Sequence, residues 1–110
     1  MRVLVCGGRY YRNWNAVYAA LDRLSPEVTI QGGAHGADFY AREWARSNGV
    51  TSVTFSADWS RGKKAGPERN ARMLKEGKPD YWLAFPGGPG TADMVRKLKA
   101  AGIPGEQIND

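Results

Sequence analysis

Three glycine turns and a few charged side chains carry whatever chemistry this chain can do. Phe85-Pro86-Gly87-Gly88-Pro89-Gly90-Thr91 sets three glycines before Thr91, a residue type that favours the N-cap of a helix. Glycines let a ligand approach the backbone closely, and the first amides of the helix carry the positive end of its dipole. The chemistry this implies is anion binding, most simply of a phosphate. Gly7-Gly8-Arg9 and Gly32-Gly33-Ala34-His35-Gly36-Ala37-Asp38 repeat the pattern. Arg9 carries a planar donor fork suited to phosphate or carboxylate; a surface arginine in a turn is the alternative. Asp38 suits either the first turn of a helix, where its charge favours the dipole, or a ribose hydroxyl as ligand contact. His35 lies in a loop between glycines and is a candidate acid or base, with no carboxylate partner identifiable from sequence.

A second group stands further along. Gly66-Pro67 opens a helix with few apolar residues, chiefly Met73 and Leu74. Asn70 lies three and four residues before them, on the same face, and Arg69 one turn before Met73. Polar groups facing inward need partners, so Arg69 and Asn70 are expected either at a site near the strand tips or tying down a loop backbone. Asp93 is expected in the first turn of the helix after the last glycine turn, while Met94, Val95 and Leu98 form its packing face.

The elements that position these residues are short. Val3-Leu4-Val5-Cys6, Val28-Thr29-Ile30-Gln31, Ser52-Val53-Thr54-Phe55 and Tyr81-Trp82-Leu83-Ala84-Phe85 read as strands. Trp14, Val17, Tyr18, Leu21 and Leu24 share one face of a first helix; Ala37, Tyr40, Ala41, Trp44, Ala45 and Asn48 share one face of a second, which Asn48-Gly49 closes. Strands alternating with helices predict an α/β fold: a doubly wound, mostly parallel sheet of four to five strands with helices on both faces. Each glycine turn then falls at the carboxyl end of a strand, where such sheets bind ligands. A polar connection runs from Ser56 to Gly66. Trp59 within it is expected to plug the sheet edge, with stacking on a base as the alternative. Ile103 to Ile108 is a candidate last strand, weakened by Pro104 and Gly105.

The chain of 110 residues is long enough for one domain, 1–110, and too short for two. Its net charge of +5 favours acidic partners, but the charge is spread along the chain and Arg61, Lys63 and Lys64 form its densest cluster. Nucleic acid is therefore a less favoured partner than a phosphate-bearing small molecule. No apolar run approaches the roughly 20 residues of a membrane span, so no membrane partner is expected. The single cysteine excludes an internal disulfide and agrees with a cytoplasmic location. One Cys and one His are too few for a structural zinc, and neither a metal nor a cofactor is expected.

Gly7-Gly8-Arg9, the 32–38 turn, Ala57-Asp58-Trp59, Gly66-Pro67-Glu68-Arg69-Asn70 and Phe85 to Met94, taken in order, resemble the SLOG superfamily. Within it the chain is most similar to the small YspA-type, YpsA-related proteins, and the likeness covers nearly its whole length. The resemblance implies a Rossmann-like fold that binds nucleotides or nucleotide-derived ligands, in subunits that often pair as homo-oligomers. Its LOG relatives hydrolyse the N-glycosidic bond of nucleoside monophosphates through a Pro-Gly-Gly-x-Gly-Thr-x-x-Glu motif, and the DNA-processing protein A binds single-stranded DNA. Here the catalytic glutamate position holds Met94, whose thioether cannot serve as general acid or base. Tyr10 replaces the usual acidic residue and His35 a frequent arginine.

The expectation is a protein that senses or sequesters a nucleotide-derived small molecule, with a signal of phage–host conflict as the setting. Gly8, Arg9, Gly32, Gly33, His35, Gly36, Asp38, Arg69, Asn70, Pro86, Gly87, Gly88, Gly90, Thr91 and Asp93 are the expected ligand contacts. In that scheme the glycine turns at 32–36 and 87–90 hold phosphate through their amides, Arg9 and Arg69 neutralise it, and Asp38, Asn70 and Asp93 read hydroxyls or amines. A LOG-like hydrolase with Asp93, Asp38 or His35 as the catalytic group, and a single-stranded nucleic-acid-binding module, are the alternatives.

Overall fold

Strands β1 (Arg2–Cys6), β2 (Val28–Gln31), β3 (Thr51–Thr54), β4 (Tyr81–Ala84) and β5 (Gly105–Gln107) form one sheet in the computed structural model, which describes residues 1–109. Their order is β3-β2-β1-β4-β5, and every neighbouring pair is parallel. Parallel strands require crossovers, supplied by α1 (Trp14–Leu24), α2 (Ala37–Ser47), α3 (Ala65–Gly77) and α4 (Pro89–Ala100). The order reverses between β1 and β4. That is the topological switch point, where strand-end turns diverge and leave a crevice.

Alternation along β1 divides the core. Val3 and Val5 pack with Val17 and Leu21 of α1, Ala41 and Trp44 of α2, and Leu83 and Phe85. Leu4 and Cys6 pack with Ile30, Met73 of α3, Trp82, and Met94 and Leu98 of α4. The sheet is thus covered on both faces, as its continuous apolar strands require. β3, at the edge, is mostly exposed.

Local signals explain most boundaries. Asn13 caps α1, its side chain accepting from the Ala16 amide at 3.2 Å. At the end of α2 the Asn48 amide side chain donates to the Trp44 carbonyl at 2.8 Å, and Gly49 follows at φ +66°. Pro67 is the third residue of α3, where a missing amide hydrogen removes no helical bond.

Several expectations need correction. Trp14 does not join the core stripe of α1; it is exposed and meets the Tyr18 ring edge-on at a centroid distance of 5.4 Å. The 56–66 connection is not without structure: Trp59–Lys64 forms a 3₁₀ segment that leads directly into α3, one residue before the expected start at Gly66. Pro89 is the first residue of α4 and Gly88 its cap, so Thr91 lies within the first turn instead of capping it. Proline's fixed φ suits that first position, and this outweighs the capping preference of threonine. Asp93 consequently falls beyond the first turn.

The last strand forms despite Pro104 and Gly105. Gly105 pairs with Trp82, and a Cβ built on it would lie 2.1–2.3 Å from three atoms of the Trp82 indole. That ring is buried, with its Nε1 donating to the Ile103 carbonyl at 2.8 Å, so it cannot yield cheaply. Here glycine is required by contact, not by torsion. Gly105→Ala is expected to lower unfolding stability by about 1–3 kcal/mol in urea denaturation, the usual range for forced overpacking; an unchanged midpoint would show that the strand shifts freely.

Candidate functional site

The three glycine turns meet. The Gly8 amide donates to the Pro86 carbonyl at 2.9 Å, joining the turns after β1 and β4. Gly36 brings in the turn after β2: its φ is +72°, and a Cβ there would lie 2.1 Å from the Gly8 carbonyl oxygen. A side chain at this position would be both strained and obstructed. The turns border one crevice of about 1030 Å³ at the carboxyl ends of the strands.

The amides of the second turn are not free. Asp38 is buried, and its Oδ2 accepts from the Gly32 amide at 3.1 Å and the Ala34 amide at 3.2 Å. The Gly33 amide donates to Gln31 Oε1 at 3.0 Å. Gln31 is itself fixed, its Nε2 donating at 2.9 Å to both Ser52 and Thr54 hydroxyls on β3. These three amides, expected to hold phosphate, are therefore satisfied internally. The third turn, after β4, differs. Among the described residues, the amides of Gly87, Gly88, Gly90 and Thr91 donate to nothing in the chain, and the turn from Pro86 to Gly90 is exposed. Available donors at the first turn of a helix are attractive to anions.

Arg69 and Asn70 link the two turns. Arg69 Nη1 donates to the Gly32 carbonyl at 2.6 Å and its Nε to Asn70 Oδ1 at 3.0 Å. Asn70 Nδ2 then donates to the Gly90 carbonyl and to Asp93 Oδ2, each at 3.1 Å. Asp93 is paired with Arg96 and Lys97 at 2.6 Å. Expected to read ligand hydroxyls, Asp38, Asn70 and Asp93 are found bonded to the protein itself and do not line the crevice. Burial opposes ionisation of Asp93, but hydrogen bonds from Lys97 and Asn70 and the charges of Lys97 and Arg96 outweigh it and hold its pKa below the usual carboxylate range.

The remaining predicted contacts do border the crevice: Gly8, Arg9, Gly32, Gly33, His35, Arg69, Pro86, Gly87, Gly88, Gly90 and Thr91. Gly36 instead borders an adjoining hollow of about 460 Å³, which shares Arg9 and His35 with the larger one. Arg9 is exposed, its guanidinium 5.6 Å from the Tyr10 ring centroid. Among the described residues His35 makes no hydrogen bond to a carboxylate. Met94, at the position of the LOG glutamate, is buried in the core. Among the described residues no Asp or Glu lines the crevice. Its ionic character comes from Arg9 and half-buried Arg69, and this favours an anionic occupant.

Two features were missed in the sequence. Gln31 orients the second turn; its signal was a lone amide closing a buried strand of β-branched residues. Trp59, expected to plug the sheet edge, is instead 67% exposed and lines the crevice. The 3₁₀ segment that turns it outward has no apolar periodicity to announce it.

A five-stranded parallel sheet with helices on both faces and a crevice at its switch point defines a Rossmann-like α/β protein. The chain belongs to the YspA, cpYpsA-related SLOG family (YAcAr), whose family model matches residues 1–62. The Gene 61 protein of Mycobacterium phage D29 is 44% identical over 116 aligned residues, taking in 94% of this chain and 92% of the phage protein. That second likeness extends across the regions of Arg69, Asn70 and the third turn, which lie beyond the family match. Membership of this family points to a nucleotide-related function. No helix among the described residues is long and apolar enough to cross a membrane.

Burial pushes the Asp38 carboxyl up to about 6, against the opposing pull of the Ala34 amide, the Arg69 charge and the Gly32 amide. Its pKa in the folded protein thus exceeds the ordinary 3.8, so its contribution to stability is fully present below 3.8 and is lost as pH rises through 6. Relative to Asp38→Asn, the wild type is expected to gain about 2–3 kcal/mol on going from pH 7 to pH 4. Denaturation series of both proteins across that range test this; parallel curves would show that Asp38 titrates normally.

Proposed function

We propose that this protein binds a nucleotide or nucleotide-derived small molecule, with a phosphate seated at the Gly87–Thr91 turn. The observation that carries the reading is the charge balance of the crevice: unengaged amides at the start of α4, Arg9 and Arg69 on its walls, and, among the described residues, no carboxylate in its lining. A phosphate oxygen accepts such hydrogen bonds, and an arginine fork matches its geometry. The volume suits a nucleotide-sized guest. Membership of the SLOG family supports the same ligand class.

Binding is favoured over hydrolysis in this reading. The acids that would serve a LOG-like reaction, Asp38 and Asp93, are engaged behind the crevice wall, and Met94 offers no proton chemistry. The role we propose is sensing or sequestration, and the likeness to a phage protein supports a setting in phage–host conflict.

Mass spectrometry of ligand released from the purified protein by denaturation, followed by calorimetry with that compound and with adenosine 5′-monophosphate and adenosine, tests the reading. A phosphate-bearing compound should be recovered intact, and adenosine should bind more weakly than its monophosphate. Arg9→Ala is expected to weaken monophosphate binding by about 10–100-fold, the scale of a charge-assisted hydrogen bond, with an unchanged melting temperature because Arg9 is exposed. Equal affinity for adenosine and its monophosphate would remove phosphate from the site, and conversion of the compound to free base would replace binding with hydrolysis.

A further inference from the structure

The four tryptophans have different surroundings. Trp44 and Trp82 are buried, and each indole N–H has a partner: Asp22 at 2.8 Å and the Ile103 carbonyl at 2.8 Å. Trp14 is half exposed and meets the Tyr18 ring. Trp59 is 67% exposed, its indole N–H donates to nothing in the described chain, and it lies on the wall of the crevice together with Arg69 and the Gly87–Thr91 turn. A tryptophan buries a large apolar area when it serves packing, and Trp59 does not.

The segment that carries Trp59 does not need the indole to hold its shape. Asp58 Oδ1 accepts from the Ser60 amide at 3.2 Å and the Ser60 hydroxyl at 2.6 Å. The Arg61 amide donates to the Asp58 carbonyl at 3.0 Å, and the Arg61 guanidinium forks onto both Glu68 oxygens at 2.8 and 3.1 Å. Just upstream, Arg72 donates to the Ser56 carbonyl at 2.7 Å. Polar bonds on both sides of residue 59 therefore fix the backbone. The outer edge of the ring lies over Gly66, where a Cβ would make ordinary contact at 3.7 Å.

A flat, polarisable surface held in place by other groups, on the wall of a cationic crevice, is what a heteroaromatic ring requires. Resting on the proposed nucleotide site, we infer that Trp59 is the platform on which the nucleobase of the ligand stacks, while the phosphate occupies the Gly87–Thr91 turn. Stacking accepts any base because each has a π-face. The ligand class is accordingly a base-bearing nucleotide, not a sugar phosphate, and Trp59 is the residue that tells the two apart.

Calorimetry with adenosine 5′-monophosphate and ribose 5-phosphate, on wild type, Trp59→Ala and Trp59→Phe, tests this. Wild type is expected to bind the nucleotide about 10–100-fold more tightly than the sugar phosphate, the range of one base–aromatic stack. Trp59→Ala should erase that difference while leaving ribose 5-phosphate affinity within about twofold, and Trp59→Phe should restore part of it. Thermal melting of each variant confirms folding, which the exposure of the ring leads us to expect. If Trp59→Ala keeps the discrimination, or if wild type binds both probes equally, the platform is refuted while phosphate binding stands. Failure of wild type to bind either probe would overturn the nucleotide site and the platform together.

Discussion

The arrangement at the strand tips depends on one bridge, in which Arg69 and Asn70, neighbours on α3, reach in two directions. Arg69 grasps the carbonyl of Gly32 after β2, and Asn70 the carbonyl of Gly90 within α4. Glycine turns have little stiffness of their own, because glycine loses more freedom on ordering than any other residue. Side-chain donors from a packed helix supply the missing constraint. The bridge is buried at Asn70 and half-buried at Arg69, where an unpaired polar group is costly, so its partners are as constrained as it is. Burial disfavours the Arg69 charge and the nearby Asp38 carboxylate supports it, which ties the guanidinium to the second turn electrostatically as well.

This bridge also sorts charge by depth. Asp38 and Asp93 lie behind the turns, bonded to amides, to Asn70 or to basic side chains of α4. Arg9 and Arg69 lie on the crevice side. The acids are therefore engaged within the protein, and the cations border the space open to an occupant. The second and third turns look alike in sequence but divide the work: one has its amides filled by Asp38 and Gln31, the other keeps them available. A rigid turn beside a receptive one lowers the ordering that a ligand must impose.

The doubly wound sheet was legible in the chain because β1 and β4, buried on both faces, read as apolar runs, and because β1, β2 and β4 each ended in glycines. The meeting of the three turns followed from topology alone. What was hidden depends on side-chain direction. Nothing in the spacing of Asp38, Asn70 and Asp93 distinguishes a carboxylate that faces a ligand from one that faces an amide four residues away. Thr91 was misplaced because Pro89 starts the helix earlier, two local preferences competing over three residues. Trp59 was misplaced because 3₁₀ segments carry no hydrophobic period, and an indole in a polar stretch reads equally as plug or platform. Arg69 and Asn70 were found because inward-facing polar residues demand partners, although whether these were ligand or backbone required coordinates.

The lone thiol sits at the tip of β1, beneath the junction of the turns. Burial, with the negative charge of Asp38 nearby, pushes the Cys6 thiol up to about 12, so almost none of it is thiolate at neutral pH. Thiolate is the species that attacks alkylating reagents and peroxide, and neither meets it while the tip is closed. Chemical modification of Cys6 thus becomes a clock for excursions of the strand tips: its rate reports how often this end of the sheet opens, and an occupant that braces the turns must slow it.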